Sequence, residues 1–317
     1  MKNPRIVVSL PNDNAYQHAQ ALAAKAAAAR LGISLEVMHA DDDPITQSQQ
    51  VLEAVQARPE SRPDGIVVEP ATGTGLRRVA QAAVAAKIAW VISNSDVDYV
   101  RQLRNAPGAI VFAVTQGQVE IGRVQGRQIS ALLPQGGSIL SVQGPSTSSV
   151  SQHRNDGMES TRPRGIVIKK LKNKWSEEDA FRSVTSWLRL RTVRAEDTVL
   201  VAGQTHELAL GARRAFQEVK DPEERKKWLA LPFIGIGISS QAEPLVDREI
   251  LTAAVITSVT MEIAVEMIVR ALQTGIQPQE CTWVEVSSYP SLEKLGQGSQ
   301  TPSRITRALE SEAHKVS

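Results

Sequence analysis

Cysteine is all but missing. Cys281 is the only one in 317 residues, so an intrachain disulfide is excluded and a thiolate-held metal cluster is not expected. Long apolar runs are missing too. No stretch approaches the eighteen or so consecutive apolar residues of a membrane span, although 42% of the chain is hydrophobic, enough to build a core. Charge of one sign is not in excess: 36 Lys and Arg stand against 34 Asp and Glu. The basic residues are scattered, so nothing draws the chain toward nucleic acid or a membrane surface.

The chemistry of familiar catalysts is also lacking. The turn after the first apolar run, Asn12-Asp13-Asn14-Ala15-Tyr16, holds no glycine, so neither a dinucleotide fingerprint nor a phosphate loop is present there. Gly73-Thr74-Gly75 and Gly235-Ile236-Gly237 are isolated pairs without the third glycine. No G-x-S-x-G elbow occurs. The five histidines, His18, His39, His153, His206 and His314, show no metal-ligand spacing. We therefore expect no metal, no cofactor and no enzyme, with an enzyme of unfamiliar type as the remaining alternative.

The N-terminus bears on compartment. Lys2 and Arg5 mimic the basic start of a signal, but Ile6 to Leu10 is too short for its apolar core, and Pro11-Asn12-Asp13-Asn14 follows. As written, the chain is expected in the cytoplasm. A protein trimmed of its signal would read the same way, which leaves a periplasmic location as the alternative.

What is present is an alternation of short apolar strands and helices along the whole chain. Strands are expected at Arg5–Leu10, Ser34–Met38, Ile66–Val68, Ala89–Ile92 and Ala109–Val114. Helices are expected at Tyr16–Leu31, Thr46–Ala57 and Leu76–Ala86. The pattern then restarts, with a helix from Val119 and strands at Ile139–Val142, Ile166–Leu171, Val199–Ala202, Phe233–Ile236 and Ala253–Ile256. Asp221–Lys227 reads as a charged, solvated segment. Thr260–Gln273 reads as a long amphipathic helix and Thr282–Val286 as a final strand. Repeated βα units with nearly all-apolar strands predict parallel sheets covered on both faces, and two sets predict two domains. Ligands of such sheets bind beyond the carboxyl ends of the strands, where Pro11 to Tyr16 would lie.

Several stretches, in this order, resemble one family. "VAGQTHELALGARRAF" (201–216), "AAARLGISLEV" (27–37), "DGIVVEPAT" (64–72), "KIAWVISNSD" (87–96), "LKNKWSEEDAFRSVTSWL" (171–188) and "AAVITSVTMEIAVEMIVRAL" (253–272) are similar to segments of type I periplasmic sugar-binding proteins and lac-repressor-type sensor domains. The resemblance covers roughly residues 5–288. It implies an α/β fold of two doubly wound, Rossmann-like three-layer sandwich domains joined by a three-segment hinge that closes on one small ligand. It places an N-terminal lobe at 1–115 plus 258–287, a C-terminal lobe at 116–257 plus 288–295, and a polar tail at 296–317.

The resemblance also nominates ligand-binding residues: Asn14, Tyr16, Gln17, Asn94, Asp96, Gln152, Arg154, Thr205, His206 and Ser258. Tyr16 falls where an aromatic stacks on the sugar, and Asn14 and Tyr16 are expected to face the cleft opposite Gln152, Arg154 and Thr205. Asn94 stands in place of an Asp, Gln152 of an Arg, Thr205 of an Asn, Gly237 of an Asp and Ser258 of a Gln. Charged grips thus give way to neutral polar groups, so the polar, neutral, sugar-like ligand is expected either not to be a common pentose or hexose or to be bound weakly. Each position has a plainer reading as well: Asn12 and Asn14 as a turn and helix cap, Tyr16 as a cover residue, His206 as a cap residue. The expected function is a non-catalytic small-molecule receptor or sensor partnered by a signalling protein, or by a membrane permease if it is a transport receptor. With the first strand expected from Arg5, DNA reading by a helix-turn-helix is not expected of this chain alone.

Overall fold

The computed structural model describes residues 3–298 other than 74, 96 and 191. The expected polar tail therefore lies outside the described residues from 299 onward. The chain divides into two compact units: Met1–Ile121 with Gly144–Arg154 and Thr257–Val286, and Gly122–Gln143 with Asn155–Ile256 and Ser287–Ser317. Each is an α/β unit around a six-stranded sheet.

In chain order the elements begin β1 (Arg5–Leu10), α1 (Ala15–Leu31), β2 (Ser34–His39), α2 (Pro44–Gln56), β3 (Gly65–Val68), α3 (Arg77–Ala85), β4 (Ala89–Ser93), α4 (Val100–Arg104), β5 (Val111–Thr115) and α5 (Gln118–Leu132). They continue β6 (Gly137–Gln143), α6 (Ser149–Thr161), β7 (Ile166–Lys172), α7 (Glu177–Leu188), β8 (Leu200–Gly203), α8 (His206–Gln217), α9 (Pro222–Leu229), β9 (Phe233–Ile238) and α10 (Ser239–Asp247). Last come β10 (Ala253–Thr257), α11 (Thr260–Thr274), β11 (Cys281–Trp283), β12 (Ser287–Tyr289) and α12 (Leu292–Gly298).

The first unit's sheet runs β11-β5-β4-β3-β1-β2, and every pair in it is parallel. Alternation along the strands feeds two cores. Val7, Ile66, Val68 and Trp90 face Val51 and Val55 of α2 and Val79 and Ala83 of α3. Ile6, Val8, Val67 and Val91 face Ala21, Ala24 and Ala27 of α1 and Ala264, Val265 and Ile268 of α11. A sheet buried on both faces needs apolar residues at consecutive positions, which is why these strands read as unbroken apolar runs.

The second unit's sheet runs β12-β10-β9-β8-β6-β7, and β12 joins β10 antiparallel. One face packs Leu140, Val142, Val201 and Phe233 on α7, α8 and α9; the other packs Ile139, Leu200, Ala202 and Ile234 with Ile129 and Met158. Gly211 explains the "ALGA" stretch of α8. A Cβ there would run into the Glu177 carbonyl and the Ala180 side chain, so glycine is what lets α8 lie against α7.

Two differences from the sequence reading have simple causes. Asp221–Lys227 is helical, not merely solvated. Asp221 caps α9 by accepting from the Glu224 amide, Pro222 opens it, and fully buried Trp228 anchors it. Five charged residues in a row hid a one-residue apolar anchor. The strand expected at Thr282–Val286 is split: β11 ends at Trp283, and β12 begins at Ser287 in the other sheet.

Candidate ligand-binding site

Because the strands of the first unit are parallel, the segments that follow β1, β3, β4 and β5 leave the sheet at one edge. After β1, Asn12 and Asn14 build the entry to α1. The Asn14 amide N–H donates to Asn12 Oδ1 at 3.1 Å. Asn14 Oδ1 accepts from the Gln17 amide at 2.9 Å, capping α1. Asn12 is pinned in turn, donating to Asp42 Oδ1 at 2.7 Å. This is the helix-cap geometry that asparagine favours. Among the described residues, Asn14 Nδ2 donates no hydrogen bond.

Tyr16, in the first turn of α1, is half-buried, and its hydroxyl accepts from Gln20 Nε2 at 2.6 Å. Burial pushes the phenol well above its ordinary pKa, with the neighbouring Glu69 adding to the shift. Gln20 also reaches α11, accepting from the Met261 amide at 2.9 Å.

Glu69 is the centre of the cluster, directly after β3. It is 5% exposed. Its Oε1 accepts from Gln17 Nε2 at 2.8 Å and from Asn94 Nδ2 at 3.0 Å. Among the described residues its Oε2 has no hydrogen-bond partner, and neither has the buried Gln17 Oε1. Burial raises the carboxyl pKa to about 7, against the opposing pull of the Asn94 and Gln17 bonds and of the Arg154 charge. Gln47 holds the Glu69 carbonyl from α2 at 2.9 Å.

Asn94, directly after β4, sits at φ 51°, a left-handed conformation that asparagine tolerates better than most residues. Its side-chain and backbone oxygens accept from Gln118 Nε2 at 2.8 and 3.0 Å. Gln118 Oε1 then accepts from buried Arg154 Nε at 2.9 Å. One polar chain thus runs from Gln17 through Glu69, Asn94 and Gln118 to Arg154. Ser95, next in the chain after Asn94, is buried, and its hydroxyl has no partner among the described residues.

Ser258 enters through its backbone. Gln116 Nε2 donates to the Ser258 carbonyl at 2.9 Å, and Gln116 Oε1 accepts from the Ser258 amide at 2.6 Å. Gln152 is exposed and donates to the Ser146 carbonyl at 2.7 Å. Asp96 lies outside the described residues.

Thr205 and His206 belong to the second unit. Thr205 Oγ1 caps α8 by accepting from the Leu208 amide at 3.2 Å. The His206 ring is buried, with Nδ1 3.4 Å from the Ile236 carbonyl and 3.4 Å from Glu207 Oε2. A Cβ at Gly237 would stand 2.6 Å from that Nδ1. The glycine of β9 is the space the imidazole uses.

The first unit therefore gathers Tyr16, Gln17, Asn94 and Arg154 of the expected residues, with Ser258 nearby. Glu69, Gln20, Gln116 and Gln118 were not anticipated. Glu69 had a visible signal: a lone carboxylate closing an all-apolar strand in "DGIVVEPAT". The glutamines carried none, since amides are ordinary on helix surfaces. Among the described residues, no group of three His, Cys, Asp or Glu could hold a metal ion.

The arrangement of parallel strands, loops and polar residues defines a binding fold, and comparison says which. A model of the periplasmic binding protein domain matches residues 6–276. The chain belongs to the periplasmic binding protein family. A search of curated proteins finds no match. Solved structures do match. The solute-binding protein of an ABC transporter from Bacillus halodurans C-125, with bound myo-inositol, superposes with a TM-score of 0.77 at 19% identity, covering 95% of this chain and 99% of that one. The fructose-binding periplasmic domain of a hybrid two-component system gives 0.75 at 18%, over 99% and 100%. The Caulobacter myo-inositol binding protein, bound to myo-inositol, gives 0.75 at 17%, over 93% and 96%. No helix among the described residues is long and apolar enough to cross a membrane.

Proposed function

We propose that this chain is a non-catalytic receptor for a small, sugar-like, polyhydroxylated molecule. The observation that carries the reading is the run of side-chain amides and acid at the strand ends of the first unit, Gln17, Glu69, Asn94 and Gln118, beside the ring of Tyr16. A hydroxyl both donates and accepts, and so does an amide. A flat ring supplies the apolar face that such ligands present between their hydroxyls. The solved relatives support the ligand class, since their own ligands are cyclitols and sugars.

Calorimetry and thermal shift against cyclitols, pentoses, hexoses, nucleosides and furanosyl autoinducer-like compounds test it. A ligand at about a hundredfold its Kd stabilises by about 2.7 kcal/mol, an easily read shift. No heat and no shift with the whole panel overturns the proposal. Recovery of the ligand chemically unchanged after long incubation separates a receptor from an enzyme. Cell fractionation assigns the partner: a periplasmic protein would serve a permease, a cytoplasmic one a signalling protein.

A further inference from the structure

We propose that Glu69 and Gln17 form an amine-recognising subsite, so that the preferred ligand is an amino sugar or aminocyclitol, not the wholly neutral polyol expected from the sequence. The inference rests on the receptor reading above and narrows it.

Among the described residues, two buried acceptors stand without donors, Glu69 Oε2 and Gln17 Oε1. Their residues are tied together by the 2.8 Å bond from Gln17 Nε2 to Glu69 Oε1. That bond also fixes the amide: flipping Gln17 would set its oxygen against a carboxylate oxygen, so Oε1 is the acceptor left over. The other oxygen of Glu69 is saturated by Gln17 and Asn94. Leaving a buried acceptor unmet is costly, and more so for a carboxylate.

The donor that completes such a pair is defined by what the pair lacks. A hydroxyl brings one proton and two lone pairs, so it can meet only one of these two acceptors. An ammonium brings three donors and no acceptor. It also supplies the positive charge that holds Glu69 ionised against burial, the main cause of its raised pKa. Charge-assisted hydrogen bonds of this kind are about twice as strong as neutral ones. Arg154 is the other charge acting on Glu69, but its Nε is committed to Gln118. Among the described residues Tyr16 is a further titratable neighbour, and burial keeps it neutral.

The experiment is calorimetry on the full chain with matched sets: a parent cyclitol or hexose, its amino-deoxy analogue, and the N-acetyl derivative of that analogue. At pH 7.5 the amine should bind at least tenfold more tightly than its parent. The N-acetyl form, which has lost the charge, should lose that gain. Glu69→Gln should bring amine and parent within about twofold of each other. Equal or weaker binding of the amines overturns the inference while leaving the receptor function intact. That is also the outcome expected if a buried water satisfies the two oxygens. Preference for the amine that survives in Glu69→Gln overturns the residue assignment. Should the variant fold poorly, the wild-type ratios of amine, parent and N-acetyl form decide the matter alone. Absence of binding to every member of the sets removes both readings.

Discussion

The two units share a strand order. From edge to edge, the first runs β2-β1-β3-β4-β5-β11 and the second β7-β6-β8-β9-β10-β12, so each strand of one has a counterpart in the other. What they do with the strand ends differs. The first unit places a buried acid there and surrounds it with amides. The second presses an imidazole into the space left by Gly237 and sets its Nδ1 3.4 Å from a backbone carbonyl and from its neighbouring glutamate. Their cores diverge too. The first unit packs α1 through alanines, whereas the second stacks Phe216 on Trp228 at 4.6 Å with Trp187 at its edge. Strand order follows from hydrophobic layering and the handedness of βαβ crossovers. Site chemistry rides on loops that those forces leave free.

The contrast between the cores can be broken most forcefully at Trp228. Trp228→Ala removes the anchor of α9 and one face of the aromatic stack, and should cost about 3–5 kcal/mol. Urea denaturation should show the midpoint falling accordingly. An unchanged midpoint would mean that the aromatic cluster is ornamental to the second unit.

The strand-end contrast is sharpened by pH. The Glu69 carboxyl pKa is raised from 4.5 to about 7, so the folded state holds its proton where the unfolded state has lost it. The stability this contributes is complete below the unfolded value and is lost as pH rises through about 7. Without ligand, Glu69→Gln should therefore be the more stable protein at pH 8, by about 3 kcal/mol at most, and lose that advantage by pH 4. Parallel denaturation curves for the two proteins across this range would contradict the buried carboxylate. In the second unit, Gly237→Ala should cost about 1–3 kcal/mol by overpacking against His206. The cost should shrink in a His206→Ala background, a double-mutant cycle that isolates the contact. The smallest effect belongs to the caps that the units have in common. Asn14→Ala and Thr205→Ala should each cost about 1 kcal/mol, read as small shifts in thermal midpoint.

Much of this architecture was legible in the sequence. The strand expected at Arg5–Leu10 matches to the residue, and the helix expected to end at Leu31 does so, with Gly32 capping it at φ 65°. Apolar strands buried on both faces announce themselves because nothing polar interrupts them. Short elements with one or two anchoring residues did not: α4 rests on Val100 and Leu103, and α9 on Trp228. The site was half visible. Tyr16, Gln17 and Asn94 follow strand ends, where position alone makes a residue a candidate. Arg154 and Gln118 are brought to Asn94 from other segments of the chain, a proximity that no local pattern encodes. The double role of Asn14 shows the same limit. A helix cap and a ligand contact ask for the same side chain, so the sequence offers no choice between them.

The pairing of Gln116 with Ser258 has a consequence for isotope exchange. Most slow amide protons in a sheet are guarded by a neighbouring strand, and they exchange when that strand lifts. The proton on the Ser258 nitrogen is guarded by the side chain of a single glutamine. Its exchange in heavy water becomes a clock for the rotation of Gln116, counting how often one amide swings out and returns while the rest of the sheet stays closed.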